Sequence, residues 1–327
     1  MMKKNKLKYL IAIVALLTIG SATAITIESK NQHIELDKNK GYFEGDVKVQ
    51  VGDVVVQSPR ADLDLEPKTK KPSLATFFDK PYAHQTKDNK KHEVKADIIK
   101  VSLIKKIITA QGNAQTNVLQ DKKPVIIITA DEQEYDTTTN LMKATGSVVI
   151  NYEDMVATSD NAFALLNKQG DVQNIKLSSR ATIKQAKSII KGDNIQYSAL
   201  RKDIIVSGNT MSDITFENGD RVIVNARNQQ YDQKNNTIMA TGAVNVKYAN
   251  YTANGPKAIM YINNQTNKPE KISFIGRSKI TEKGVNSVEA DKIIMTMEPK
   301  TFEADGNVKT IIEQESNNNK NKMEFSL

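Results

Sequence analysis

Two stretches of this chain superimpose without a gap: YDTTTNLMKATGSVVI (135–150) and YDQKNNTIMATGAVNV (231–246) share Tyr, Asp, Asn, Ala, Thr, Gly and a Val at an offset of 96. Self-similarity at a fixed period governs every later assignment, because it makes the fold an array. A second segment, VKADIIKVSLIKKIITAQGNAQT (94–116), aligns with VEADKIIMTMEPKTFEADGNVKT (288–310) at an offset of 194, and the midpoint falls on KGDNIQYSALRKDIIVSGNT (191–210). Gly112-Asn113, Gly208-Asn209 and Gly306-Asn307 are thereby equivalent. A third element recurs as NIKLSSRATI (174–183), KISFIGRSKI (271–280) and, more loosely, TFFDKPYA (76–83). The repeat region is expected over 25–312, in modules of about 30–127, 128–223 and 224–315.

Within each module the hydrophobicity alternates with period two, the signature of strands with one buried face. In Phe43-Glu44-Gly45-Asp46-Val47-Lys48-Val49 the charged residues fall on even positions, and Ala240 to Val246 repeats the arrangement. At the recurring Ala-Asp step the parity switches: in 288–295 it moves from Val288 and Ala290 to Ile293 and Met295. An inserted residue that restores the inward face is a β-bulge, expected near Ala96, Ala130, Ala226 and Ala290. The glycines at 45, 146 and 242, and at 112, 208 and 306, then mark mid-strand bends. Glu217-Asn218-Gly219-Asp220 has the chemistry of a type I′ hairpin turn, and Lys234-Asn235-Asn236 joins two strands. No segment after the N-terminus sustains a helical apolar stripe. The fold class is therefore all-β, antiparallel strands in about three tandem repeats. Pro and Lys content predicts a loop over 66–73 and 85–93, and Glu313 onward reads as a polar tail, 313–327.

The N-terminus has a basic stretch to Lys8, an apolar run from Leu10 to Ile19 broken only by Thr18, and the A-x-A site Ala22-Thr23-Ala24. This predicts a secretory signal peptide over 1–24, with an uncleaved inner-membrane anchor as the alternative. Both place the remainder outside the cytoplasm. Cysteine is absent, so neither disulfides nor thiolate chemistry are available. The three histidines, His33, His84 and His92, include two in the Lys-rich stretch, where they read as solvated loop residues and not as metal ligands. No G-x-S-x-G, P-loop, H-E-x-x-H or dinucleotide-binding glycine pattern occurs. Paired acids such as Asp62/Asp64 and Glu132/Glu134 share a wet strand face, with nothing to separate their pKa values. The reading is of a non-enzyme without cofactor or metal. Nucleic acid is an unsuitable partner, since tryptophan is absent and aromatics make up 6% of residues. The net charge of +8 suits an anionic lipid neighbourhood without requiring one.

The segment LDKNKGYFEGDVKVQVGDVVVQSPRADLDLE (36–66) resembles the opening of the LptA/OstA-like family of periplasmic lipopolysaccharide-transport proteins. The resemblance lies in the F-x-G-[ND]-V-x-V strand at Phe43 to Val49, the turn at Gly52-Asp53 and the strand into Ala61-Asp62. TFFDKPYAHQ (76–85) is similar to the family's next strand, and the A-D…G-N-V elements continue the pattern to about 312. The resemblance implies an elongated, twisted β-jellyroll slab with an apolar groove for lipopolysaccharide acyl chains. It also implies end-to-end stacking through edge strands, with LptA-, LptC- or LptD-like partners or head to tail with itself. The inward residues Phe43, Val47, Val49, Val148, Ile150, Val244, Val246, Met260, Met295 and Val308 would line the groove, or fill a closed core. The terminal strands, about Ile25–Leu36 and Thr301–Ile312, would be the open edges. Family members are usually about half this length, so two units are fused here, or an LptC-like and an LptA-like part are joined. The function implied is a periplasmic lipopolysaccharide carrier in outer-membrane biogenesis. The alternatives are a membrane-anchored LptC-like subunit of the lipopolysaccharide ABC transporter and a structural envelope protein without lipid.

Overall fold

The computed structural model describes residues 25–87, 90–167, 172–216, 219–266, 268–282 and 286–312. The leader, the polar tail and Glu217-Asn218 of the expected turn lie outside them. Regular structure among the described residues is entirely β, as the period-two patterning requires: 22 segments in one antiparallel sheet.

The sheet begins with β1 (Ile25–Glu28), β2 (Asn31–Glu35), β3 (Lys40–Val51), β4 (Val54–Leu65), β5 (Pro72–Phe78), β6 (Tyr82–Lys87), β7 (Lys90–Lys95), β8 (Ile98–Ser102) and β9 (Ile107–Gln120). It continues through β10 (Lys123–Asp136), β11 (Leu141–Tyr152), β12 (Met155–Leu166), β13 (Val172–Gln185), β14 (Ser188–Ser198) and β15 (Asp203–Thr215). The remainder is β16 (Arg221–Asp232), β17 (Thr237–Tyr248), β18 (Tyr251–Ile262), β19 (Pro269–Glu282), β20 (Asn286–Thr296), β21 (Thr301–Asp305) and β22 (Lys309–Ile311). From β9 to β20 each strand pairs with the one before and the one after it.

Every long strand is bent near its middle. Between β10 and β11 the register skips from Thr129 opposite Val149 to Glu132 opposite Thr145, so Ala130-Asp131 faces Gly146-Ser147 at the bend. The same break falls at Asn225/Asn228 in β16 and opposite Ala290 and Lys292 in β20, while Ala96-Asp97 separates β7 from β8. The parity switches at the Ala-Asp steps are therefore the bends of the fold.

Gly146 shows why the facing residue is glycine. Its φ is +80°, and a Cβ there would lie 2.8 Å from Asp131 Cβ and 2.6 Å from Asp131 Cγ. No other residue combines a left-handed backbone with room for the side chain folded over it. The same spacing of 15 residues sets Lys30 over Gly45, Asp97 over Gly112, Asp193 over Gly208, Arg227 over Gly242 and Asp291 over Gly306.

The bends crease the sheet into two half-sheets. In β3, Lys40 to Glu44 pair with β2 whereas Lys48 to Val51 pair with β1. Apolar residues from both halves meet across the crease: Phe43, Ala61 and Phe77 share one lining with Ile27, Val49 and Val56. Each fully buried Val or Ile adds about 1.5–3 kcal/mol. The interior forms two clusters, one running from Phe43 to Val206 and one from Ile214 to Met297, and Tyr231 packs against both.

Two expectations are corrected. Residues 72–78, 82–87 and 90–95 are strands; residues 88–89 lie outside the described ones, and among the rest of the expected loop only Glu66 to Lys71 remains a turn. Composition favours a loop there, but alternation prevails: Ala83, Gln85, His92 and Val94 are buried, while Lys91 and Glu93 lie on the opposite face. His92 is consequently buried and His84 half-buried beside the Tyr82 ring, so neither is a solvated loop histidine.

Candidate functional site

The seam between the half-sheets runs through both apolar clusters of the described structure. Phe43, Val47, Val148, Ile150, Val244, Val246, Met260 and Met295 are buried in it, and Val49 packs partly buried against it. Val308 does not share this environment: it is 51% exposed. Its counterparts Ala114 and Thr210 are buried because β10 and β16 cover them, whereas no described strand lies beyond β22.

The seam is unevenly filled. A space of about 710 Å³, lined by Ile25, Ile27, Phe43, Val49, Leu63 and Val101 among others, opens beside β1, and Asp62 is the only charged residue on it. Ile128, Met142, Ile150 and Ile175 border a second space of about 390 Å³. A third, about 750 Å³, lies between β13 and β18 where the two apolar clusters part. Of the residues expected along the groove, Phe43, Val49 and Ile150 border these spaces.

Polar groups cross the seam at matching places. Gln133 is buried two residues past the β10 bend; its Nε2 donates to the carbonyls of Ala114 (3.0 Å) and Ile128 (3.1 Å), and its Oε1 accepts from the Thr116 hydroxyl at 2.6 Å. Ninety-six residues later Gln229 donates to the Val224 carbonyl at 3.1 Å and the Thr210 hydroxyl at 2.9 Å, and accepts from Ser212 at 2.7 Å. Each amide closes the hole that a bulge leaves in the ladder, the condition under which a buried polar group stabilises. Sequence reading passed over both glutamines, although Gln at 133 and 229 with Thr116 and Ser212 repeats at the same offset of 96.

The two copies then diverge. Tyr135 donates to Asn140 Oδ1 at 3.1 Å, whereas its counterpart Tyr231 turns to Ser212 and Gln229. Burial pushes the Tyr231 phenol well above its ordinary range, against the opposing Ser212 hydrogen bond. Among the described residues no three His, Asp or Glu side chains gather as a metal set.

Each end of the sheet is open among the described residues. β1 and β2 pair only with β3, and β21 and β22 only with β20. Ile34, Leu36, Val308 and Ile312 are exposed there.

The family model described as "LptA/(LptD N-terminal domain) LPS transport protein" matches residues 26–126 and again 223–324. No curated protein matches the chain. Among solved structures the chain is similar to LptH, the LptA-homologous periplasmic component of the lipopolysaccharide transport device from Pseudomonas aeruginosa. The identity is 13% and the TM-score 0.35, over 40% of this chain and 95% of that one.

Proposed function

Because the chain belongs to the LptA/(LptD N-terminal domain) LPS transport protein family, we propose that it is a non-enzymatic periplasmic carrier that shields lipopolysaccharide acyl chains in the seam between its half-sheets. The observation that carries this reading is the incomplete filling of an otherwise apolar seam: three spaces interrupt it, bordered by Phe43 and Val49, by Met142 and Ile150, and by the isoleucines between β13 and β18. Native cores hold few voids larger than a water. Each methylene moved from water into such a space contributes about 0.8 kcal/mol, so an acyl chain dwells there without polar contacts. Photo-crosslinking residues at Val49 and Ile150, compared with one at exposed Lys247, test the reading in cells. Lipopolysaccharide adducts are expected at the first two and not at the third; equal labelling at all three would count decisively against a lipid seam.

The bridging part of the role rests on the open edges. Counting the split pairs β1/β2, β5/β6, β7/β8 and β21/β22 as single bent strands leaves eighteen, and the glutamine bridges recur every six. Lys30-Asn31-Gln32 stands at the first edge as Asp131-Glu132-Gln133 and Arg227-Asn228-Gln229 stand inside the sheet. At the last edge Thr310 is the counterpart of Thr116 and Ser212. Both Gln32 and Thr310 are exposed. A second copy whose β1–β2 edge adds to β21–β22 would bring them together, complete a third bridge and cover Val308 by strand addition. Sedimentation of the purified chain is expected to show concentration-dependent head-to-tail association that Thr310→Pro abolishes. A strictly monomeric wild type would remove this part of the reading.

A further inference from the structure

The space between β13 and β18 differs from the other two in its polar lining. Ile183, Ile190, Ile204, Ile214, Ile238 and Ile262 form its apolar wall. At its rim, where strands turn, stand Gln185 and Asn236. Each is more than nine-tenths buried, at 8% and 6% exposure, and in each the side-chain carbonyl oxygen receives no hydrogen bond. The Gln185 amide nitrogen is committed to Asp154 Oδ1 at 3.2 Å, which fixes the free atom as the oxygen.

Two orphaned acceptors on one apolar cavity are unusual, because a buried carbonyl without a donor costs about 1–3 kcal/mol. The repeat shows how one of them arises. In the preceding copy Asn140 Oδ1 is satisfied by the Tyr135 hydroxyl. Here Tyr231 has swung its hydroxyl to Ser212 and Gln229, which leaves Asn236 Oδ1 without a partner. The change occurs where the apolar interior divides in two, so cavity and free acceptor belong together.

We propose that this cavity is a subsite for an acyl chain carrying a hydroxyl group near its polar end, the hydrocarbon lying along the isoleucines and the hydroxyl donating to the carbonyl oxygen of Gln185 or of Asn236. The proposal rests on the carrier reading and adds a chemical preference to it. An unsubstituted chain enters the same space but leaves both acceptors unmet. A fully apolar cavity would not distinguish the two chains in this direction, since burying an unpaired hydroxyl is unfavourable.

The test is competition of 3-hydroxytetradecanoic acid and tetradecanoic acid for a fluorescent fatty acid bound to the purified, delipidated full chain. The hydroxy acid is expected to bind about tenfold more tightly, the scale of one net hydrogen bond. Gln185→Met and Asn236→Gly are each expected to reduce that ratio towards one while leaving tetradecanoic acid affinity unchanged; glycine suits the φ of +52° at Asn236. Ile238→Phe, which fills the cavity, should weaken both acids together. Equal affinities in the wild type, or a preference that survives both polar substitutions, would overturn the subsite, and the wild-type comparison needs no variant to fold. If those results came with lipopolysaccharide adducts at Ile150, only the subsite would fall. Loss of the adducts as well would remove the carrier reading.

Discussion

Replacing Gly146 by alanine tests whether the bends are set by a side chain folded over a glycine. The backbone φ of +80° lies where an L side chain meets its own carbonyl, at a cost of about 1–2 kcal/mol. The new Cβ also falls 2.6 Å from Asp131 Cγ and 2.8 Å from Asp131 Cβ, so Asp131 or the crease must move, which adds about 1–3 kcal/mol. The expected loss is thus about 2–5 kcal/mol. Gly219→Ala is the control, because its φ is +88° but nothing lies within 4 Å of the added methyl. It should lose only the backbone share. Asp131→Gly combined with Gly146→Ala should recover the steric share, a coupling of about 1–3 kcal/mol in a double-mutant cycle. Urea midpoints followed by circular dichroism at unchanged m measure the wild type and the four variants. Equal losses for Gly146→Ala and Gly219→Ala, or strict additivity with Asp131→Gly, would refute the reasoning.

Gln229→Leu should destabilise the monomer by about 1–3 kcal/mol, because the Val224 carbonyl and Thr210 hydroxyl lose their donor. Gln32→Leu, at the exposed edge, should change monomer stability by less than about 0.5 kcal/mol and weaken self-association instead, as read by denaturation and sedimentation. Tyr231 supplies a pH signature. Its folded pKa is raised above the ordinary value of 10.0, so the folded state holds a proton that the unfolded chain releases. Stability from this group is complete below about pH 10 and declines as pH rises further. Tyr231→Phe should flatten that alkaline decline in urea midpoints; an unchanged slope would show that the phenol is not the group responsible.

The bends were legible because they disturb a local pattern. A parity switch at Ala130-Asp131 or Ala290-Asp291 needs only the neighbouring side chains to be recognised, and the loosely matched TFFDKPYA proved to carry a bend at Asp79-Lys80, both at positive φ, as Ser179-Arg180 does. The hairpin of β6 and β7 was obscured because its lysines dominate composition, while the alternation of Ala83, Gln85, His92 and Val94 decides its burial. Val308 lies between β21 and β22 with no described strand over it, an exposure that the alternation within one module does not reveal. The packed and open parts of the seam could not be separated from a repeat pattern either. Val148 and Ile150 look alike in sequence, and only the packing of facing strands leaves space beside one of them.

The crease has a further consequence for reach. Neighbouring strands stand about 4.8 Å apart, so eighteen bent strands measure roughly 80 Å along the sheet before curling is allowed for, and each six-strand period adds roughly 29 Å. If the first and last strands join as proposed above, inserting or deleting a whole period would leave both ends of the sheet unchanged. Distance covered and the means of joining the next unit are thereby independent variables. Duplication of the period can lengthen a span across an envelope without requiring a new joint.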